Sequence, residues 1–170
     1  SKNAALCERY MGKYPVIAIS LKGVDAASYQ EAVVQLVEII NQSAASFQFL
    51  QNSGRLTDYE KERFCKLLDD DMNMKIMSSS MLWLTKLLEK HFNRKVVILI
   101  DEYDVPLAKA YENGFYDEMV LLIRNIFGNV LKTNESLAFA VLTGCLRIAK
   151  ESIFTGLNNF KVYSITDVEF

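Results

Sequence analysis

Val96-Val97-Ile98-Leu99-Ile100-Asp101-Glu102-Tyr103-Asp104 decides the fold. Five Val, Ile and Leu residues in a row, with no polar alternation, suit a strand buried on both faces, as in a parallel sheet covered by helices. Such a strand does not accept charge in its middle, so Asp101 and Glu102 fall at its carboxyl end. That edge is where open α/β sheets take their ligands. The segment has the form of a Walker B motif, in which the Asp helps hold Mg²⁺ on a nucleotide through water. The following Glu then orients or deprotonates the attacking water. A buried strand that ends in solvated acids fits the same residues, and the run alone does not choose between the two.

The flanking sequence repeats the strand–helix alternation. Upstream, Val16-Ile17-Ala18-Ile19-Ser20-Leu21 reads as the first strand. Ser28 and Glu31 then form a capping box for a helix carrying Tyr29, Ala32, Val33, Leu36, Val37 and Ile40, running to about Leu50. Thr57 and Glu60 form a second box. The helix they open is expected to stop at Asp69-Asp70-Asp71, because three acids face the unfavourable end of its dipole. The triplet lacks the alternating ligands and glycine of a calcium loop and reads as a solvated acidic loop. Met72, Met74, Met77 and Met81 do not share one helical face, so they read as core filler and loop. Ser78 to Ser80 are expected to cap the next helix, which ends near His91. The sole histidine and sole tryptophan, His91 and Trp83, have no companions for a catalytic or metal constellation.

Downstream, Val105-Pro106 begins a short helix and Asn113-Gly114 a turn. A strongly amphipathic helix follows through Met119, Leu122, Ile123, Ile126 and Val130. Leu137 to Gly144 reads as another buried strand with a polar exit, and Lys161-Val162-Tyr163-Ser164-Ile165 as a further strand. Strands separated by helices are the signature of right-handed βαβ crossovers and a parallel sheet.

The bulk numbers agree with one α/β domain. The 170 residues are 51% hydrophobic and 24% charged, with a formal net charge of -2. The composition reads as that of a globular chain, not a disordered one, and gives no general attraction to nucleic acid or to an anionic membrane. The three cysteines, Cys7, Cys65 and Cys145, are odd in number and widely spaced, which suits a reducing cytoplasm rather than a disulfide framework. No apolar stretch approaches membrane-spanning length.

Two strings carry a resemblance. Leu99-Ile100-Asp101-Glu102-Tyr103-Asp104-Val105-Pro106-Leu107 and the segment from Leu142-Thr143-Gly144-Cys145-Leu146-Arg147 to Gly156-Leu157-Asn158-Asn159 closely resemble the AAA-ATPase-like family. Gly12-Lys13-Tyr14-Pro15-Val16 and Tyr116-Asp117-Glu118-Met119 match it as well. These are bacterial P-loop proteins that commonly carry a PD-(D/E)XK nuclease-like domain at the carboxyl end. The resemblance implies a P-loop NTPase-like three-layer sandwich with a mainly parallel sheet, ATP and Mg²⁺ as ligands, and ATP hydrolysis. It matches Asp101 to the magnesium-associated Asp, Glu102 to the water-activating Glu and Thr143 to a polar residue that senses the γ-phosphate. Arg147 is placed where it could bring positive charge to the phosphates. The bland alternatives are that Thr143 only caps its strand and that Arg147 pairs with Glu151 one turn later.

One motif is missing. A P-loop ATPase needs Gly-x-x-x-x-Gly-Lys-[Ser/Thr], whose backbone amides cradle the phosphates. The only Gly-Lys pair, Gly12-Lys13, has Cys7 in the first glycine's place and Tyr14 in the hydroxyl's. Residues 1–170 are therefore expected to be a single partial AAA-ATPase-like domain without the phosphate-loop strand. That strand should lie between the Leu137 and Lys161 strands, so its loss leaves buried edges unpaired. The expected compensation is a shifted last strand, pairing supplied by another chain through self-association at the edges, or a detached carboxyl end. The function expected is the Walker B portion of an ATPase, not competent for nucleotide alone. The alternatives are a non-catalytic regulatory or interaction module, and a Mg²⁺-dependent nuclease built on Asp101, Glu102 and Asp104.

Overall fold

A computed structural model describes residues 3–145 and 163. In chain order it places α1 (Ala4–Tyr10), β1 (Val16–Ser20), α2 (Tyr29–Ala45), α3 (Asp58–Cys65), α4 (Met74–Phe92), β2 (Val96–Asp101), α5 (Val105–Asn113), α6 (Tyr116–Lys132) and β3 (Leu137–Leu142), with short 3₁₀ turns at Gln48–Asn52 and Lys66–Leu68. The expected strand at Lys161–Ile165, and with it the expected edge compensation, lies outside the described residues apart from Tyr163. So does Arg147.

The three strands are parallel in the order β1-β2-β3, so the Val96–Asp101 run is central and hydrogen-bonded on both sides. The chain is α/β, with six helices around a parallel sheet, consistent with a P-loop-like sandwich. Among the described residues no strand pairs with the outer edge of β3. Nor is any described helix long and apolar enough to cross a membrane.

Strand alternation sends odd and even residues to opposite faces. Ile17 and Ile19 of β1 and Ile98 and Ile100 of β2 are buried in one cluster with Leu36 and Ile40 of α2, Met81 and Leu84 of α4, and Ile123 and Ile126 of α6. The other face differs from expectation. Val16, Leu99, Phe139 and Val141 are 38–44% exposed while Val97 on the same face is buried, so β2 is buried on both faces only at its amino end. The helices that follow β1 and β2 in sequence pack on the opposite side. On the open face the rings of Tyr10 and Tyr14 meet Phe139 edge-on, with centroids 6.5 and 6.3 Å away.

Helix starts follow local chemistry. The Ser28 hydroxyl accepts from the Glu31 amide at 3.3 Å, and the Glu31 carboxylate accepts from the Ala27 amide at 2.9 Å. The Thr57–Glu60 box is complete. Helix α2 ends at Ala45, earlier than its apolar periodicity suggests, and the chain to Asn52 tightens into 3₁₀ geometry. Ser78 to Ser80 do not cap a helix. Asn73 does, its side chain accepting from the Ile76 amide at 3.0 Å, and the serines fall inside α4. Ser78 and Ser80 are accommodated there because their hydroxyls donate back to the Met74 and Met77 carbonyls, each at 2.7 Å.

Met72, Met77 and Met81 are buried, and Met74 is exposed. The acids Asp69 to Asp71 are exposed as expected. The Asn41 side chain holds their loop to α2 by donating to the Asp69 carbonyl and the Asp70 carboxylate. His91 has a structural setting, its Nδ1 2.8 Å from the Ser53 hydroxyl and its ring clustered with those of Phe49 and Phe92. Trp83 lies under the Arg63 guanidinium at 3.7 Å.

Candidate nucleotide half-site at the strand ends

Parallel register brings three polar residues to one sheet edge. Ser20 pairs with Asp101 across β1 and β2, and Leu142 pairs with Ile100 across β2 and β3, so Thr143 emerges beside Asp101. All three continue the open face, beyond Val16 and Ala18, Val97 and Leu99, and Phe139 and Val141. The apolar open face thus ends in an exposed polar rim at the strands' carboxyl ends.

Backbone bonds extend the ladder past the strands. Leu21 donates to the Asp101 carbonyl at 2.9 Å, Thr143 to the Ile100 carbonyl at 2.9 Å, and Tyr103 to the Thr143 carbonyl at 3.2 Å. The Thr143 hydroxyl donates to Asp101 Oδ1. The structure thereby brings together two of the sequence-derived site residues in direct contact.

Glu102 follows in an unusual conformation. Its φ is 54°, in the left-handed region that costs a non-glycine residue of order 1 kcal/mol. The turn there lets the Val105 amide reach the Glu102 carbonyl at 3.2 Å, and α5 begins at once with Pro106 in its first turn. Asp101 and Glu102 are therefore not two successive extended residues. The half-buried Glu102 side chain leaves from a backbone that has already turned away from β2.

The third acid behaves differently again. Asp104 is 4% exposed, and its Oδ2 accepts from the Cys145 amide at 2.8 Å. It is turned toward the exit of β3, not toward a shared metal position with Asp101. No group of three or more His, Cys, Asp or Glu side chains converges on a metal position among the described residues. Burial, together with the nearby charge of Asp104, raises the Tyr103 phenol above its ordinary value.

Mg²⁺ prefers hard oxygen donors and is usually held by one or two carboxylates, with waters and substrate phosphates completing its shell. Asp101 with the adjoining Thr143 hydroxyl suits that chemistry. The phosphate-cradling motif is not among the 170 residues, so the donor set fits half of a Mg²⁺–nucleotide site. Sequence reasoning names Asp104 only as a possible third metal ligand and misses its bond to the Cys145 amide and its close approach to Gly144. The available signal is an acid at the cap position of a helix, three residues beyond Asp101.

Comparison with known proteins shows the family. A family profile described as "Predicted AAA-ATPase" matches residues 4–154. A protein from Azotobacter chroococcum mcd 1, described as "Uncharacterized protein in vnfD 5'region", is 33% identical over 80 residues, which cover 42% of this chain and 14% of that protein. No solved structure matches. A profile spanning both the β1 region and the Asp101–Thr143 rim shows that the chain belongs to the AAA-ATPase-like family.

Proposed function

We propose that the chain is the Walker B portion of an ATP-binding, ATP-hydrolysing P-loop protein and that alone it binds nucleotide weakly or not at all. The observation that carries this is the Thr143 hydroxyl on the Asp101 carboxylate at the carboxyl ends of neighbouring parallel strands. Asp101 would hold Mg²⁺, which when bound screens the charge of the phosphates. Thr143 orients that carboxylate and stands where a γ-phosphate would be read. Glu102, turned by its backbone, acts as the base or orienting group for water. Arg147, outside the described residues, brings positive charge to the phosphates.

Titration of this chain with Mg²⁺–ATP should show no tight binding, and tight Mg²⁺-dependent binding would overturn the claim of incompetence. In the full-length protein, Glu102→Gln should lower ATP turnover by about a hundredfold or more, the scale of a lost general base. Unchanged turnover would remove Glu102 from its role. A cytoplasmic location and self-association through the β3 edge belong to the same proposal.

A further inference from the structure

We propose that Asp104 is a positioning residue: its carboxylate docks the Gly144–Cys145 backbone and so holds Thr143 against Asp101. This rests on reading Asp101 and Thr143 as a nucleotide half-site.

Aspartate at a helix N-cap ordinarily accepts from an amide two or three residues on. Asp104 holds that position on α5 but makes no side-chain cap bond, and its backbone is in the right-handed helical region, with φ -86° and ψ -18°. Its main-chain carbonyl receives the Leu107 and Ala108 amides instead, at 3.1 and 3.0 Å. The carboxylate crosses to the next strand and takes the Cys145 amide at 2.8 Å. Burying a carboxylate is costly unless its oxygens are bonded. A bond from an amide to an ionised acceptor is also roughly twice as strong as a neutral one.

Gly144 shows how close the two segments are. A Cβ added there would lie 2.6 Å from Asp104 Oδ1 and 2.9 Å from Tyr103 Cε1. Its φ is not positive, so a larger residue there is opposed by space, not by backbone conformation, and the Asp104 carboxylate or the Tyr103 ring would have to shift. Thr143 is consequently fixed on both sides. Its own amide and carbonyl bond to Ile100 and Tyr103, and two residues later the Cys145 amide is held by Asp104. Without that last bond the exit of β3 past Thr143 loses its anchor to the Asp104 side chain, and the Thr143 hydroxyl is held less firmly against Asp101.

The test uses the full-length protein with Asp104→Ala, Asp104→Asn and Gly144→Ala. At position 104, asparagine keeps an acceptor oxygen and alanine removes it, while the methyl group added by Gly144→Ala displaces the Asp104 carboxylate from its place beside Gly144. Amide hydrogen exchange at Cys145 and Thr143 should accelerate about tenfold in Asp104→Ala and Gly144→Ala, and stay within about threefold of wild type in Asp104→Asn. Mg²⁺–ATP turnover should fall about tenfold in kcat in the same two variants with KM little changed, and the asparagine variant should recover most of it. Unchanged exchange in Asp104→Ala overturns the proposal, as does accelerated exchange with unchanged kcat. If Asp104→Ala does not fold, Gly144→Ala carries the same two outcomes. If the wild type shows no turnover, the ATPase reading fails, and exchange at Thr143 and Cys145 alone decides the latch.

Discussion

The two faces of the sheet have nearly the same apolar character in sequence and opposite surroundings in the fold. Ile17, Ile19, Ile98 and Ile100 lie under α2, α4 and α6, whereas Val16, Leu99, Phe139 and Val141 remain 38–44% exposed. An apolar run records that a strand needs cover, but not what supplies it. The polar ends make the difference functional. Ser20, Asp101 and Thr143 all terminate the open face, so the proposed chemistry sits on the side of the sheet away from α2, α4 and α6. A face that must admit a ligand at its rim cannot be sealed by the same helical layer that builds the core.

The sharpest way to break the comparison is to truncate one side chain on each face of β2. Ile98→Ala should lose about 2–5 kcal/mol of unfolding free energy, the usual cost of emptying a fully buried aliphatic site. Leu99→Ala, one residue away on the open face, should lose about 1 kcal/mol or less. Denaturant unfolding of both variants measures the contrast directly. Equal losses would show that the open face is packed in solution, and the two faces would then be energetically alike.

A smaller effect concerns association. The open face, and a β3 edge with which no strand pairs among the described residues, present exposed apolar side chains, a combination that favours strand pairing between chains. Phe139→Ser with Val141→Ser should weaken concentration-dependent self-association of this chain by about tenfold or more, corresponding to roughly 1.4 kcal/mol. Sedimentation equilibrium of wild type and double variant checks it. A wild type that stays monomeric across the accessible concentration range would remove self-association from the proposed function.

Much of the covered side is legible in the sequence because its determinants are local. The Thr57–Glu60 box, the Gly114 stop after α5 and the apolar runs of all three described strands act within a few residues. The left-handed Gly114, with φ 81°, passes its amide to the Ala110 carbonyl just as a turn glycine should. Sequence and structure part where a nonlocal partner or a competing cap decides. Ser78 to Ser80 have the composition of a helix start, but Asn73 caps five residues earlier and the hydroxyls of Ser78 and Ser80 turn back onto their own helix. At the site, Asp101 and Thr143 are readable from the strand ends on which they stand. Glu102's left-handed turn and Asp104's reach to Cys145 are not, because both depend on how β3 returns beside β2 some forty residues later.

The smallest expected effect lies on the outer side of the covering layer, away from both faces. Lys90 of α4 places its ammonium 2.7 Å from both carboxylate oxygens of Glu60, which also accepts the Thr57 amide at 2.7 Å. Partial burial pushes the Glu60 carboxyl up, but the Lys90 ammonium and the Thr57 donors outweigh it and hold the group below its ordinary value of 4.5. A carboxyl lowered in the folded state stabilises above its unfolded value and loses that contribution as pH falls through the folded one. Glu60→Gln should therefore cost about 1 kcal/mol or less near pH 7, where an exposed pair and a cap are each modest. The gap between variant and wild type should close as pH drops below about 4.5. Thermal unfolding of both proteins across that range measures it. A gap that persists undiminished in acid would mean that Glu60 contributes through packing and the neutral cap. The contact between α3 and α4 would then owe nothing to the Lys90 charge.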